Sequence, residues 1–254
     1  MLAQILALDV YRFSLVAARL GLVVMLIPGL GASYVLPQAR LFLALAISFM
    51  VLPVVSPLLP PMPNTAIGLF LVIAGEATIG VFIGFILQLL LVSIHSAATS
   101  ISYTSGIANA MIADPITEEQ SAVVVGLLGN IAVMAIFTSG LYELIFRAAV
   151  DSYTLFTPGQ PLLLGDFAKV ALQTLDRSFL IGVKFSAPFL AASVVFQVGL
   201  GIIARLLPQM NAFFIGLPIQ LLLGLALLMI LTPPIIVAFI NFFRDGIGGF
   251  ITPG

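Results

Sequence analysis

The feature that most constrains this chain is a series of long apolar blocks with few charges. About six such blocks occupy residues 10–27, 40–57, 65–94, 121–146, 179–206 and 213–243, with turn-prone segments between them. A helix needs roughly 20 apolar residues to cross the ~30 Å hydrocarbon core of a bilayer. Because 61% of the 254 residues are hydrophobic and only 7% are charged, we predict an all-α, integral membrane-class protein of helical hairpins with about six long apolar helices.

Composition also excludes several classes of function. Nine Lys and Arg against ten Asp and Glu provide no basic surface for nucleic acid. There is no Cys, and His95 is the single histidine, so a thiolate site or a multi-histidine metal site cannot form within the chain. Neither a GxSxG elbow nor a glycine-rich nucleotide motif occurs. We therefore expect no enzymatic activity, no cofactor and no nucleic-acid partner.

The first residues suggest that no leader is removed. Residues 1–9 lack the Lys or Arg cluster that precedes the apolar core of a cleavable signal peptide, and Arg12 and Arg19 interrupt the run that follows. We expect Met1 to be the mature N-terminus.

Two stretches depart from the block pattern. Residues 95–120 are rich in Ser and Thr and end in a glycine-led segment, which predicts irregular backbone that lines or blocks a polar space. Within them, residues 117–120 (Thr-Glu-Glu-Gln) fit the capping box of the following helix. In residues 151–177, Asp166 is predicted to cap a short amphipathic helix with an interfacial or packing role.

Charges inside apolar blocks need a partner, because an ionisable residue at mid-bilayer costs about 2.5–3.5 kcal/mol. Glu76 stands alone in its block, and we expect an arginine of the first or second helix to pair with it, as a structural ion pair or as part of a proton relay. Glu143 and Arg147 have the i, i+4 spacing of a helix-surface pair. The full set of intramembrane or interface charges is Arg12, Arg19, Arg40, Glu76, Glu143, Arg147 and Arg205.

A short glycine motif lies just after Glu76. The run Gly80-Val-Phe-Ile-Gly84 is a GxxxG pattern, which allows a second helix to approach closely. It predicts helix packing without indicating which helix approaches.

The most specific motif lies in the C-terminal third. It consists of Pro208, Gln209, Met210, Asn211, Phe213, Gly216 and Pro218. A structural hairpin turn is the favoured explanation, since Pro218 lacks an N–H and can open the helix, while Gln209 and Asn211 can bond the exposed carbonyls.

This motif resembles the signature region of the FliR family, the R subunit of the flagellar type III export gate. The resemblance extends over essentially the whole chain in length and segment order. It implies a single membrane-class domain, with a P-like helical portion in residues 1–177 and a Q-like helical hairpin in residues 178–254.

The resemblance also implies location and partners. The chain would be a non-enzymatic subunit of the bacterial inner membrane, in the flagellar basal body, in contact with lipid. Its partners would be the P and Q subunits (FliP and FliQ type), FlhB and FlhA type proteins, and unfolded flagellar export substrates in transit.

By the same resemblance, the R subunit contributes a loop that helps to plug the closed channel. The matching stretch is Gly106, Ile107, Ala108, Asn109, Ala110, Met111, Ile112, Ala113, Asp114 and Pro115. Its small residues would fill a narrow bore, and its Met and Ile side chains would form a displaceable seal. The alternative is an ordinary interhelical loop.

Two other functions remain open. An autonomous secondary transporter would fit the repeated Leu-Pro-Gln at residues 36–38 and 207–209, if the repeat marks internal symmetry. The equivalent subunit of a virulence-type secretion gate would differ from the flagellar one in its cargo.

Overall fold

A computed structural model describes residues 2–30, 35–106, 122–161, 164–206, 209 and 212–250. Every secondary-structure element in these residues is a helix. The described elements are α1 (Leu2–Leu26), α2 (Pro37–Val55) with a 3-10 turn at Ser56–Leu58, α3 (Ala66–Thr104), α4 (Ala122–Thr138), α5 (Leu141–Leu155), α6 (Leu164–Leu206) and α7 (Ala212–Gly248). These residues form no strand, which confirms the predicted all-α class. Four of the helices are long and apolar enough to cross a membrane, or five spans if the bent pair α4–α5 counts as one.

Three helices are longer than a bilayer requires. Helices α3, α6 and α7 contain 39, 43 and 37 residues, or about 55–65 Å at 1.5 Å per residue. To fit within ~30 Å of hydrocarbon they would have to tilt by about 60°, outside the usual range of roughly 0–40°. A large part of each helix therefore extends beyond the hydrocarbon core.

The chain forms two compact units. Unit 1 comprises Met1–Leu90, Phe137–Thr174 and Phe243–Gly254, and unit 2 comprises Leu91–Ile136 and Leu175–Phe242. Helices α3, α6 and α7 each contribute residues to both units. The boundary between the predicted P-like and Q-like portions, at residues 177 and 178, falls inside the continuous helix α6.

In unit 1, α1 packs against α2 and α3. The ring of Phe13 on α1 meets that of Phe49 on α2 edge to face, with centroids 6.5 Å apart. On α3, Gly80 lies against the backbone of Arg19, and Gly84 lies against the side chain of Leu26, so closely that a Cβ at either glycine would collide. The GxxxG motif therefore packs a helix, as its spacing predicts, and that helix is α1.

The Ser- and Thr-rich stretch after His95 is helical as far as Thr104, contrary to the predicted irregular backbone. Its hydroxyls bond carbonyls of the preceding turn: Thr99 to His95 at 2.9 Å, and Thr104 to Ser100 at 2.8 Å. Such bonds satisfy the hydroxyls within the helix itself, so the polar residues do not interrupt it. The predicted capping box at residues 117–120 lies outside the described residues.

Two predicted helix boundaries are wrong. The block at residues 121–146 is divided into α4 and α5, which meet at a bend of 74°. Gly140, with φ 74°, adopts the left-handed conformation at the start of α5, which glycine tolerates without steric cost. The short helix predicted to begin near Asp166 is instead the first part of α6, because no helix-breaking residue separates it from the apolar block that follows.

The close approach of α1 to α3 predicts a specific effect of enlarging Gly80. Gly80→Ala would force α1 away from α3, and overpacking of this kind costs about 1–3 kcal/mol. Gly75→Ala on the same helix is the matched control, because nothing lies within 4 Å of a Cβ at Gly75. We expect the thermal unfolding midpoint of the detergent-solubilised protein to fall for Gly80→Ala and not for Gly75→Ala. Equal midpoints would contradict this packing.

Candidate functional site

The most distinctive polar feature of unit 1 is a buried ion pair between α1 and α3. Arg19 and Glu76 are 0% and 1% exposed. The guanidinium donates from Nε to Oε2 of Glu76 at 2.7 Å and from Nη2 to Oε1 at 3.1 Å. This two-bond arrangement is the strong form of an arginine–carboxylate contact. It confirms that an arginine of the first helix is the partner of Glu76.

Arg19 also binds the C-terminal end of α5. Its Nη1 donates to the carbonyl oxygen of Ser152 at 3.0 Å and to the Ser152 hydroxyl at 3.4 Å, and its Nη2 donates to the carbonyl oxygen of Phe156 at 2.9 Å. The carbonyl oxygen of Ser152 also accepts the N–H of Phe156. Carbonyls at the C-terminal end of a helix carry partial negative charge, so a cation suits this position. With Glu76, these acceptors occupy all five N–H groups of the guanidinium.

Aromatic rings surround this centre. The guanidinium lies over the ring of Tyr153, 4.1 Å from its centroid, in a cation–π contact. Next to the Phe156 carbonyl, four rings from different parts of unit 1 form a cluster in which one pair stacks at 4.1 Å between centroids; the rings are Phe82, Phe156, Phe167 and Phe250. The apolar surroundings strengthen the ion pair and make an unpaired charge here expensive.

Local sequence explains how the two charges meet. Glu76 lies four residues before Gly80, and so on the same face of α3. Because Gly80 has no side chain, the backbone of α1 reaches α3 at Arg19 itself. The glycine motif and the isolated carboxylate are therefore parts of one contact.

The geometry is that of a structural contact that joins three elements. Both oxygens of Glu76 accept bonds from Arg19, and every guanidinium N–H has an acceptor, so the pair presents no free donor. We therefore interpret it as a structural ion pair and not as a proton relay. Across the described parts of the chain, no three His, Asp or Glu side chains converge as metal ligands would.

The other predicted charges are not brought to this site. Arg12 is half-buried on α1, Arg40 donates from Nη2 to the carbonyl oxygen of Val35 at 3.2 Å, and Arg205 is exposed at the end of α6. Glu143 and Arg147 are exposed on α5, and the predicted pair between them is wrong, since they are not within ion-pair distance. Exposed pairs gain only about 0–1 kcal/mol, too little to hold two solvated side chains together.

Of the predicted pore loop, only Gly106 lies within the described residues. It is buried with φ 75°, two residues after the end of α3. The remaining residues of the loop, 107–115, lie outside the described part.

The signature turn is described in part. Gln209 is exposed between α6 and α7, and Gly216 on α7 lies against Leu200 on α6, where a Cβ would come within 2.6 Å of the Leu200 side chain. Helix α7 continues through Pro218, contrary to the predicted break, so the proline removes one backbone bond without ending the helix. Pro208, Met210, Asn211 and the side chain of Phe213 lie outside the described residues.

Sequence reasoning missed two polar side chains that donate to carbonyls at helix ends. Gln88 donates to the carbonyl oxygen of Leu26 at 2.7 Å, at the end of α1. Gln220 donates to that of Thr104 at 3.0 Å, at the end of α3. Each glutamine is an isolated polar residue in an apolar helix. Isolation of this kind is what singled out Glu76, and the same criterion applied to uncharged polar residues would have identified both glutamines.

Comparison with known proteins gives a consistent answer. Residues 10–246 match the family model of bacterial export proteins, family 1. The chain is 33% identical over 222 residues to the flagellar biosynthetic protein FliR of Caulobacter vibrioides, covering 87% of this chain and 88% of that protein. It is 28% identical to FliR of Aquifex aeolicus, covering 84% and 82%. It is 25% identical to the Yop proteins translocation protein T of Yersinia pestis, covering 65% and 64%.

The fold and the buried pair define an all-helical membrane protein whose central polar contact is structural. The chain belongs to the FliR family of bacterial export proteins and is a type III export gate subunit. Membership of this family favours the gate subunit over the autonomous transporter that the sequence alone left open.

The ion pair generates a prediction about stability. Arg19→Met would leave the Glu76 carboxylate buried without the arginine and would remove the donors that Arg19 gives to the carbonyls of Ser152 and Phe156. Breaking a buried pair from one side costs about 3–5 kcal/mol. We expect a large drop in the thermal unfolding midpoint in detergent, and a drop that Arg19→Lys does not restore, because lysine lacks the planar five-donor fork.

Arg147→Met provides the matched control, since it removes an exposed arginine of α5. Surface substitutions of this kind change stability by about 0.5 kcal/mol or less. Full stability of Arg19→Met, or full rescue by Arg19→Lys, would contradict the role assigned to this contact.

Proposed function

We propose that this chain forms, with P- and Q-type subunits, the channel of the flagellar export gate in the bacterial inner membrane. In this proposal it has no enzymatic activity, and unfolded flagellar proteins pass through the assembly. FlhA and FlhB type proteins contact the gate. The P-like portion, residues 1–177, and the Q-like hairpin, residues 178–254, are the parts through which it joins the other subunits.

The observation that carries this proposal is apolar surface beyond what a bilayer covers. In the most apolar stretches of α6 and α7, only 11% and 17% of the residues are buried. Exposed apolar side chains on α6 run from Leu164 to Leu206, about 63 Å at 1.5 Å per residue, which is more than a bilayer covers at the usual tilt of up to about 40°. Since such helices exceed the hydrocarbon core, part of this surface needs protein to cover it.

The buried ion pair supports a structural role. Its donors and acceptors are used in joining α1, α3 and α5, and none is directed at a ligand. A gate subunit that holds a channel together, while other components select and drive the cargo, needs only such contacts.

Residues 106–115 are the proposed plug of the closed channel. The support for this assignment is sequence resemblance and the small and flexible apolar residues of the segment. Its first residue, Gly106, lies two residues after Thr104, the last residue of α3, whose carbonyl oxygen accepts a hydrogen bond from Gln220 on α7.

The test is the native mass of the chain in mild detergent, expressed alone and together with P- and Q-type subunits. We expect a labile chain alone and one large, defined assembly when the partners are present, because the uncovered apolar surface requires them. A stable, monodisperse particle that does not associate with the P- and Q-type subunits would contradict the proposal.

A further inference from the structure

The exposed side of α6 changes its chemistry at Lys184. Up to that point, one exposed face of the helix carries the polar side chains of Asp166, Lys169, Gln173, Asp176, Arg177 and Lys184. The following residues, 185–204, contain no charge, and this run ends at Arg205. One continuous helix therefore presents a charged stretch and then an apolar stretch to its surroundings.

The two cations that limit the apolar stretch lie on one side of α6. Lys184 and Arg205 are both exposed, and their spacing is about six helical turns, which places them within about 60° of each other around the axis. Along the axis they are about 31 Å apart at 1.5 Å per residue, which matches the ~30 Å hydrocarbon core of a bilayer. Long basic side chains at the ends of a span reach the headgroups.

Between these cations the outward side of α6 is apolar. Val194 and Val198 are 61% and 59% exposed, whereas Phe189 and Ser193 on the other side are buried. The exposed amide of Gln197 donates to the Ser193 hydroxyl in the same helix, at 3.4 Å. This stretch therefore offers a surrounding medium apolar side chains and no charge.

Helix α7 extends the same surface within unit 2. Helix α6 ends at Leu206 and α7 begins at Ala212, and Gly216 lies against Leu200, so the two helices run antiparallel. Leu222, which is 67% exposed, therefore lies near the level of Val194. Because α7 has no charge in residues 212–243, two neighbouring helices present apolar side chains at one depth.

We propose that lipid covers the outward side of α6 between Lys184 and Arg205 together with the adjoining part of α7, and that these two cations bind phosphate groups of the two leaflets. The charged first part of α6 then lies outside the hydrocarbon core. A bilayer fits this stretch better than a protein partner does, because the apolar length equals its thickness and a cation stands at each limit. The assignment concerns lipid and does not depend on the channel proposed above.

The experiment places single nitroxide labels on α6 and α7. The chain has no Cys, so Val194→Cys and Leu222→Cys each create one labelling site, and the unmodified chain is the blank. Leu172→Cys is the matched control, because Leu172 is 66% exposed on the same side of α6 but lies beyond Lys184. The full chain is labelled in the membranes in which it is produced, with the subunits that it assembles with there. Access of oxygen, which concentrates in hydrocarbon, and of a water-soluble nickel complex is measured at each label.

We expect the hydrocarbon pattern, several-fold more access for oxygen than for nickel, at Val194→Cys and Leu222→Cys and not at Leu172→Cys. Low access of both reagents at Val194→Cys would show that protein covers this side, and ready access of nickel would show water. Either result overturns the proposal, and so does the hydrocarbon pattern at Leu172→Cys. If Val194→Cys does not accumulate, Leu222→Cys decides by the same criteria.

A second measurement tests the role of Lys184 as the limit of the lipid-covered stretch. The label is placed at Leu180→Cys, an exposed position one turn before Lys184. Lys184→Leu removes the cation, so hydrocarbon can extend toward Arg177, and we expect oxygen access at this label to rise and nickel access to fall. Lys169→Leu is the control, since it removes an exposed lysine of the same face farther from the limit. No change in Lys184→Leu, or an equal change in Lys169→Leu, overturns this role.

Discussion

The structure of unit 1 depends on a buried guanidinium that must have an acceptor for each of its N–H groups. Arg19 meets this requirement with Glu76 on α3 and with the carbonyls of Ser152 and Phe156 at the end of α5. Because a guanidinium is planar and rigid, its acceptors have to lie in one plane at fixed directions. Three elements distant in sequence are thereby held in one arrangement, and Gly80 makes the approach possible.

The same requirement recurs at other helix ends. Carbonyls at the end of a helix need donors, and in apolar surroundings water does not supply them. Gln88 supplies a donor to the end of α1, and Gln220 supplies one to the end of α3. A few polar side chains in otherwise apolar helices thus connect the helices where hydrophobic packing has no directional preference.

How far the sequence predicts this structure depends on the type of signal. The helical class follows from the lengths of the apolar blocks, and the pairing of Glu76 follows from the cost of an isolated charge. The extension of α3 to Thr104 does not follow, because serine and threonine are typical both of loops and of helices in which they bond the preceding turn. The bend at Gly140 does not follow either, because a single glycine inside an apolar block is compatible with a continuous helix as well as with a bend.

The most direct test of the account is whether Glu76 is a structural partner or a proton carrier. Export of a flagellar substrate would be measured per assembled complex in cells that carry Glu76→Gln, a change that keeps size but removes the acid and replaces one of the two accepting oxygens with an amide donor. If the Arg19–Glu76 ion pair is structural, the amount of assembled complex falls and export per complex is unchanged. A normal amount of complex with export abolished would contradict the account, because it would show that the carboxyl group itself takes part in transport.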